Sequence, residues 1–417
     1  MTAFIEDEKS SSSNPILVVK FGGSVLTNGQ NARKAAEMLK KAYDRGFSLV
    51  VVVSAMKGVT DQLLTTTKAT NPNVSDELLA EILSMGERTS ARLMAATLSG
   101  LGLKTTFIDP DQESWPIISY GKYLDAEVDM EETKERVRKY ILPLLKKGYV
   151  PVICGFIAKN REGKIQTLGR GGSDTTAAVL GSALKAKEVI LVKDVGAAFS
   201  ADPKRAKGAE ILEELDMEEA LLLSLSGSKL IHAKAFKYLD EGVKLRITSL
   251  SLDIEGGTII EGTAPLLKVE VTDPNISMVT VVGKGLASNG ALTCLAEAIK
   301  KANGLLKSIS MDDRAIIAYV EGGKDVYDKV HEMAVKRGIG KATSYFDNLA
   351  EVTVKGKALE MAPGYIQKVT EPLGKAGINI YGLTTIASSI KLYLAKKDID
   401  KALKLIKESL GIEEVKK

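Results

Sequence analysis

A lysine beside paired glycines, at the end of a buried apolar run, is a combination that can hold an anion. Residues 20–24 read Lys20-Phe21-Gly22-Gly23-Ser24 and follow the β-branched run Ile16-Leu17-Val18-Val19. Glycines at a strand-to-helix turn either relieve strain or let backbone N–H groups approach a phosphate. Lys20 adds the positive charge, at the strand edge where open α/β sheets bind ligands. A second segment, Thr167-Leu168-Gly169-Arg170-Gly171-Gly172-Ser173-Asp174-Thr175-Thr176, sets glycines, a cation, an anion and hydroxyls ahead of an apolar helix expected over 177–184. Capping of that helix by Ser173 or Asp174 would explain one residue and leave Arg170 and the glycines unexplained.

Two further clusters are expected on loops. Ser84-Met85-Gly86-Glu87-Arg88-Thr89-Ser90 surrounds a carboxylate with small residues, and Lys193-Asp194-Val195-Gly196 follows an apolar run at 188–192. Taken alone, Glu87 reads as a salt-bridged surface residue and Asp202-Pro203 as a turn. Neither G-x-x-x-x-G-K-[ST] nor G-x-G-x-x-G occurs, which argues against a Walker-type ATPase and a dinucleotide-binding dehydrogenase. There are two histidines, His232 and His331, read as structural and as a solvated helix residue, so the chemistry must manage almost without imidazole.

The 417 residues carry 57 Lys and Arg against 53 Asp and Glu, a net charge of +4, with 5% aromatics. That balance supports no nucleic-acid partner, which would call for a basic stripe or stacking platform. Cys154 and Cys294 are too few for a disulfide framework or a four-cysteine zinc site. No apolar stretch reaches the roughly 20 residues of a membrane span. Residues 1–14 are polar, without signal-peptide character, and are expected to be a disordered tail. A cytoplasmic protein with no membrane partner is expected.

The elements that must position these residues are legible as continuous apolar strands alternating with amphipathic helices. Strands are expected at 16–19, 49–53, 150–153, 188–192 and 245–248, with a helix through Ala32, Ala35, Ala36, Leu39 and Ala42. This is the pattern of a parallel sheet covered on both faces. Turn chemistry at 255–258 and 262–265 ends it. Beyond lies a β-α-β-β-α order that recurs about 73 residues later, from Gly283-Lys284-x-Leu286 to Gly356-Lys357-x-Leu359. Two small α+β modules of the split βαβ type therefore follow the large α/β domain.

Lys20-Phe21-Gly22-Gly23-Ser24, Ser54-Ala55 with Gly58 and Thr60, Ser84-x-Gly86-Glu87, Gly155-Phe156-Ile157, Leu168 to Asp174, Asp194-Val195 to Asp202-Pro203, and Gly227-x-Lys229 together resemble the amino-acid kinase superfamily and, within it, the aspartate kinases. The resemblance covers essentially the whole chain. It implies an open, mainly parallel sheet sandwiched by helices over 15–265, with an aspartate-binding lobe at 15–185 and a nucleotide-binding lobe at 186–265. Two ACT-like, ferredoxin-like βαββαβ modules are implied at 266–345 and 346–417. The implied reaction moves the γ-phosphoryl of ATP, with Mg2+, to the side-chain carboxylate of L-aspartate. An aspartate side chain is already ionised at neutral pH, so no general base is required, in keeping with the shortage of histidine.

By the same resemblance, Lys20 and Lys229 would hold the phosphoryl group in flight beside the Gly22 and Gly23 amides, with Asp174 orienting the lysines. Arg170 would pair with the substrate α-carboxylate and Glu87 with its ammonium, with Ser54, Thr60 and Ser173 completing the pocket. Lys193, Asp194, Phe199 and Lys204 would line the nucleotide site, and no protein metal ligand is expected. The family usually has threonine where Lys193 stands, Gly-x-Tyr where Ala197-Ala198-Phe199 stands, and often arginine at Lys204. The modules imply a feedback effector, lysine or threonine, near Asn289, Gly290, Ala362, Pro363 and Gly364, and a homodimer or higher homo-oligomer. No room follows for a second enzyme, so a monofunctional chain is expected. A sister kinase acting on N-acetylglutamate, glutamate or UMP, and a catalytically silent amino-acid sensor, stay open as alternatives.

Overall fold

A computed structural model of the chain describes residues 14–412 except 229, 288, 289, 361 and 387. The expected polar tail lies, but for Asn14, outside the described residues, as do Lys229 and Asn289. The chain divides into two compact units between Ala264 and Pro265.

In the first unit, the runs Ile16–Phe21 and Ser48–Val53 are almost wholly buried, so neither face can meet water and helices must cover both. They pair in parallel, Ile16 opposite Ser48 through Phe21 opposite Val53. On its other side Ile16–Phe21 pairs in parallel with Glu188–Val192. The full sheet has eight strands, in the order Glu214–Asp216, Thr258–Glu261, Lys244–Thr248, Glu188–Val192, Ile16–Phe21, Ser48–Val53, Val150–Cys154, Thr105–Ile108. Only Lys244–Thr248 and Thr258–Glu261 run antiparallel. The mainly parallel α/β sheet expected from the alternating pattern is therefore observed. Its consequence for function is directional: Phe21, Val53, Cys154 and Val192 all end at one edge, where the conspicuous motifs follow.

Three of the described helices pack on the central strands of this sheet. Gly29–Asp44, capped by the Asn28 side chain, buries Ala35, Ala36, Leu39 and Ala42 as its periodicity requires. Gly172–Ala183 is buried on nearly every side. Asp76–Gly100 runs unbroken for 25 residues through Ser84–Ser90, so that cluster is helical and not a loop. Its small residues serve packing: a Cβ on Gly86 would lie 2.7 Å from the Cβ of Ala55.

The second unit holds a six-stranded antiparallel sheet, in the order Leu305–Met311, Ala315–Glu321, Lys268–Val282, Ala342–Lys355, Ser389–Ala395, Ile380–Ile386. The two long strands run antiparallel from Lys268 opposite Lys355 to Val282 opposite Ala342, with register shifts between Val271 and Met278. Val279 and Val281 join one hydrophobic core with the helices Ala291–Lys301 and Gly323–Lys336. Val269, from the front of the same strand, joins the other core with Val352, Leu373 and Ile406. The expected start of the second unit at 266 lies beside the division between Ala264 and Pro265, and within the unit residues 268–271 pack with the core of residues 352–406, on either side of the first core in sequence. Tyr319 and Tyr393 stack with ring centroids 3.7 Å apart. Beside them buried Glu351 accepts from Thr272 Oγ1 at 2.6 Å and Tyr393 OH at 2.9 Å.

The helix Gly172–Ala183 approaches the sheet closely at Gly181, where a Cβ would meet Val189 Cγ2 at 2.2 Å. Gly181→Val is expected to destabilise the chain by about 1–3 kcal/mol through overpacking. Urea denaturation read by circular dichroism checks this.

Candidate active site

The glycine turn after Ile16–Phe21 is held by its neighbours on both sides. Gly22 N–H donates to Val192 O at 3.4 Å, and the Gly22 carbonyl accepts from Val25 and Leu26, each at 3.0 Å. A Cβ on Gly23 would lie 2.6 Å from the Ala55 carbonyl oxygen, so only glycine lets the turn close against the segment after Ser48–Val53. Lys20 lies buried beneath it, and a Cβ on Gly22 would sit 3.4 Å from its Nζ.

Asp174 gathers the cations. Its Oδ1 accepts from Lys20 Nζ at 2.7 Å and its Oδ2 from Lys193 Nζ at 3.1 Å. The capping alternative for Ser173 and Asp174 is overturned: Gly171, at φ 69°, is the N-cap of Gly172–Ala183, and no side chain caps it. Asp174 is in the first helical turn and faces the lysines instead. Burial alone would push its carboxyl up, but Lys20 and Lys193 outweigh that and hold it well below the usual carboxylate range. Lys193, read from the sequence as a nucleotide contact, is therefore also part of this ion-pair cluster. No sequence signal marks that pairing.

Glu87 lines the same cleft as Lys20 and Asp174. Its Oε1 accepts the Ala55 N–H at 3.0 Å, while Oε2 is buried without a hydrogen-bond partner among the described residues. Burial pushes the Glu87 carboxyl up to about 7, against the downward pull of the Ala55 amide and Lys20. Lys20, Ser54, Thr60, Glu87, Arg170, Ser173 and Asp174 all line one cleft of ≈ 470 Å³, joined by Phe156 of the Gly155-Phe156-Ile157 motif and by Lys57 and Asp61, which the sequence reading gave no role.

The loop carrying Arg170 is locked from beneath. Gly169 and Gly171 have φ of 72° and 69°, and a Cβ on either would strike Asp125 or His232. Lys234 Nζ donates to Leu168 O at 3.1 Å, Asp125 Oδ1 at 2.6 Å and Ala126 O at 2.9 Å. Lys234 lies too far along the chain for local pattern to reveal this role. Phe156 takes φ 67°, with its N–H donated to Thr176 Oγ1 at 3.1 Å. His232 is structural, its Nδ1 accepting from Lys234 N–H, and His331 is an exposed helix residue bonded to Thr343.

Asp194, Phe199 and Lys204 are not among the residues lining that cleft. Asp194 accepts from Ser24 Oγ at 3.3 Å, Phe199 sits on a two-residue strand paired with Ile211–Leu212, and Lys204 lies exposed in a turn made by Asp202. In the second unit Gly290 and Gly364, at φ 77° and 96°, are the N-caps of Ala291–Lys301 and Tyr365–Lys375, and Ala362 and Pro363 are exposed.

Because folded Glu87 keeps its proton to about pH 7 while its ordinary value is 4.5, the folded state binds more protons between those values. Stability from this group is complete below about 4.5 and is lost as pH rises through 7. Glu87→Gln is expected to remove that slope and to make the ligand-free chain more stable than wild type at pH 8, by up to about 3 kcal/mol. Urea midpoints at pH 5 and pH 8 check it.

The amino acid kinase family model matches residues 15–249. The aspartokinase of Mycolicibacterium smegmatis is 28% identical over 415 residues, covering 95% of this chain and 96% of that one. Among solved structures, the aspartate kinase of Synechocystis superposes with a TM-score of 0.75 at 22% identity, over 95% of this chain and 70% of that one. E. coli aspartokinase III, solved with aspartate and ADP, superposes at 0.54 with 21% identity over 95% and 100%; with lysine and aspartate it superposes at 0.51 with 19% identity over 95% and 99%. The fold of two units, sheet-and-helix followed by paired α+β modules, is shared with these enzymes, and the chain belongs to the amino acid kinase family.

Proposed function

We propose that the chain is an aspartate kinase, moving the γ-phosphoryl of ATP to the side-chain carboxylate of L-aspartate to give 4-phospho-L-aspartate. The observation that carries this reading is one cleft lined by a lysine–aspartate cluster, a buried carboxylate with a free oxygen and an exposed arginine. An amino acid has complementary groups: its ammonium suits Glu87 and its α-carboxylate suits Arg170. The ligands of E. coli aspartokinase III, aspartate with ADP, support the same assignment.

The acceptor carboxylate is already ionised, so the barrier to overcome is repulsion between it and a triphosphate. Lys20 meets the transferred phosphoryl group, and Asp174 keeps that ammonium aimed. Ser54, Thr60 and Ser173 complete the acceptor pocket, and Lys229 would add a second cation. Asp194, Phe199 and Lys204 take the nucleotide, which enters as its Mg2+ complex, the metal carried by phosphate oxygens and water. The product opens biosynthesis of lysine, threonine and methionine, and the second unit regulates it as ACT modules in a homodimer. Gly290, Ala362, Pro363 and Gly364, with Asn289, supply the effector loops, and the lysine complex of E. coli aspartokinase III supports a lysine effector.

A hydroxamate assay is expected to show ATP-dependent product with L-aspartate and none with glutamate, N-acetylglutamate or UMP; silence with L-aspartate sinks the reading. Lys20→Ala should lower kcat by about 10²–10³-fold, and Arg170→Ala should raise KM for aspartate roughly 10–100-fold. Glu87 must be ionised to hold the substrate ammonium, so aspartate affinity is expected to rise with pH up to about 7. Calorimetry at pH 6 in buffers of different ionisation enthalpy should detect the proton released. Millimolar lysine or threonine that changes neither rate nor thermal midpoint would exclude those effectors.

A further inference from the structure

Lys20 and Lys193 share the one buried carboxylate of Asp174, and the further carboxylate that acts on Lys193, Asp194, is exposed. The Lys193 and Asp174 side chains are only 17% and 7% exposed. A cation so far from water that shares its buried carboxylate with a second lysine is stabilised by any further anion that meets it. Sheet order indicates which anion. Ser54 and Thr60, on the acceptor side, follow Ser48–Val53, which flanks Ile16–Phe21 on one side. Lys193 follows Glu188–Val192, which flanks it on the other. The bond from Gly22 N–H to Val192 O ties the glycine turn to the strand end that carries Lys193. Lys193 thus stands beyond Lys20 as seen from the acceptor pocket.

We propose, resting on the phosphoryl-transfer reading above, that Lys193 is a phosphate-facing cation on the leaving-group side, paired with Asp174 in the structure and turned to the β-phosphate of a bound nucleotide. In the transfer, an acceptor carboxylate oxygen bonds to Pγ while the bond from Pγ to the β–γ bridging oxygen breaks. That bond's electron pair stays on the β-phosphate, and Lys193 meets the charge that grows there. Asp174 keeps one lysine partner throughout, so its carboxylate is never left bare. The charged and titratable groups facing Lys193 are Asp174, Lys20, its neighbour Asp194, and His232. Burial lowers the Lys193 pKa, with Asp174 opposing and Lys20 adding to the fall. Its charge is therefore lost at lower pH than an ordinary lysine's.

The test is MgATP and MgADP affinity of the full chain by calorimetry, for wild type, Lys193→Met and Lys193→Arg, between pH 7 and pH 10. Lys193→Met is expected to weaken MgATP and MgADP at least 10-fold while L-aspartate affinity stays within twofold. Lys193→Arg should restore binding to within about threefold and hold it to higher pH than wild type, since arginine keeps its charge. Unchanged MgATP affinity in Lys193→Met, or parallel alkaline limbs in wild type and Lys193→Arg, overturns the assignment. Should Lys193→Met fail to fold, Lys193→Arg and the wild-type pH series decide it. Binding is read without turnover: wild-type protein that binds MgATP but phosphorylates no L-aspartate refutes the acceptor and leaves the Lys193 comparison standing.

Discussion

Asp174 is a buried carboxylate that two lysines from neighbouring strand ends must both reach. Lys20 comes from Ile16–Phe21, Lys193 from just beyond Glu188–Val192, and Asp174 from the first turn of Gly172–Ala183. Removed from its partners it would be an unpaired charge in a dry site, a penalty of several kcal/mol. The three elements are thereby held at fixed mutual positions, and the parallel register of the two strands supplies the spacing. Glycine at positions 23, 171 and 172 answers separate close approaches around the cluster, to the Ala55 carbonyl, to His232 and to Phe156.

The other buried carboxylate of the cleft works on the reverse principle. Glu87 is kept from water and given half of the hydrogen bonding it can use, so its charge is expensive until a cation arrives. Asp174 has two lysine partners, whereas Glu87 has one hydrogen bond from Ala55 and an oxygen without a partner among the described residues. Under the proposed function, a zwitterionic acceptor would bring the cation that Glu87 lacks and a polyanionic donor the anion that the lysines can use, so that binding and electrostatic neutralisation would be a single event.

How far the chain discloses this depends on the range of the interaction. The strands at 16–21, 48–53 and 188–192 were legible because burial on both faces demands continuous apolar runs, and Lys20 and the glycines because they sit at strand ends. Ser84–Ser90 reads as a loop since its glycine and serines score poorly as helix, yet tertiary packing on Ala55 overrides that preference. The tie of Lys193 to Asp174 and of Lys234 to Leu168 is long-range and leaves no periodic trace. The packing of residues 268–271 with the later core is hidden for a related reason: they read as the start of the next strand, and their partners at 352–355 lie far along the chain.

That interleaving bears on synthesis from the ribosome. The first module of the second unit closes on contacts between Ser277 and Phe346, whereas the second begins at Lys268 and ends with the helix Ile399–Leu410. A nascent chain can therefore finish the inner module while the outer one is still waiting for its final helix. Until that helix emerges, the Lys268 end of the long strand, though it can already pair with residues 352–355, has no finished core beneath it and leaves an apolar face uncovered.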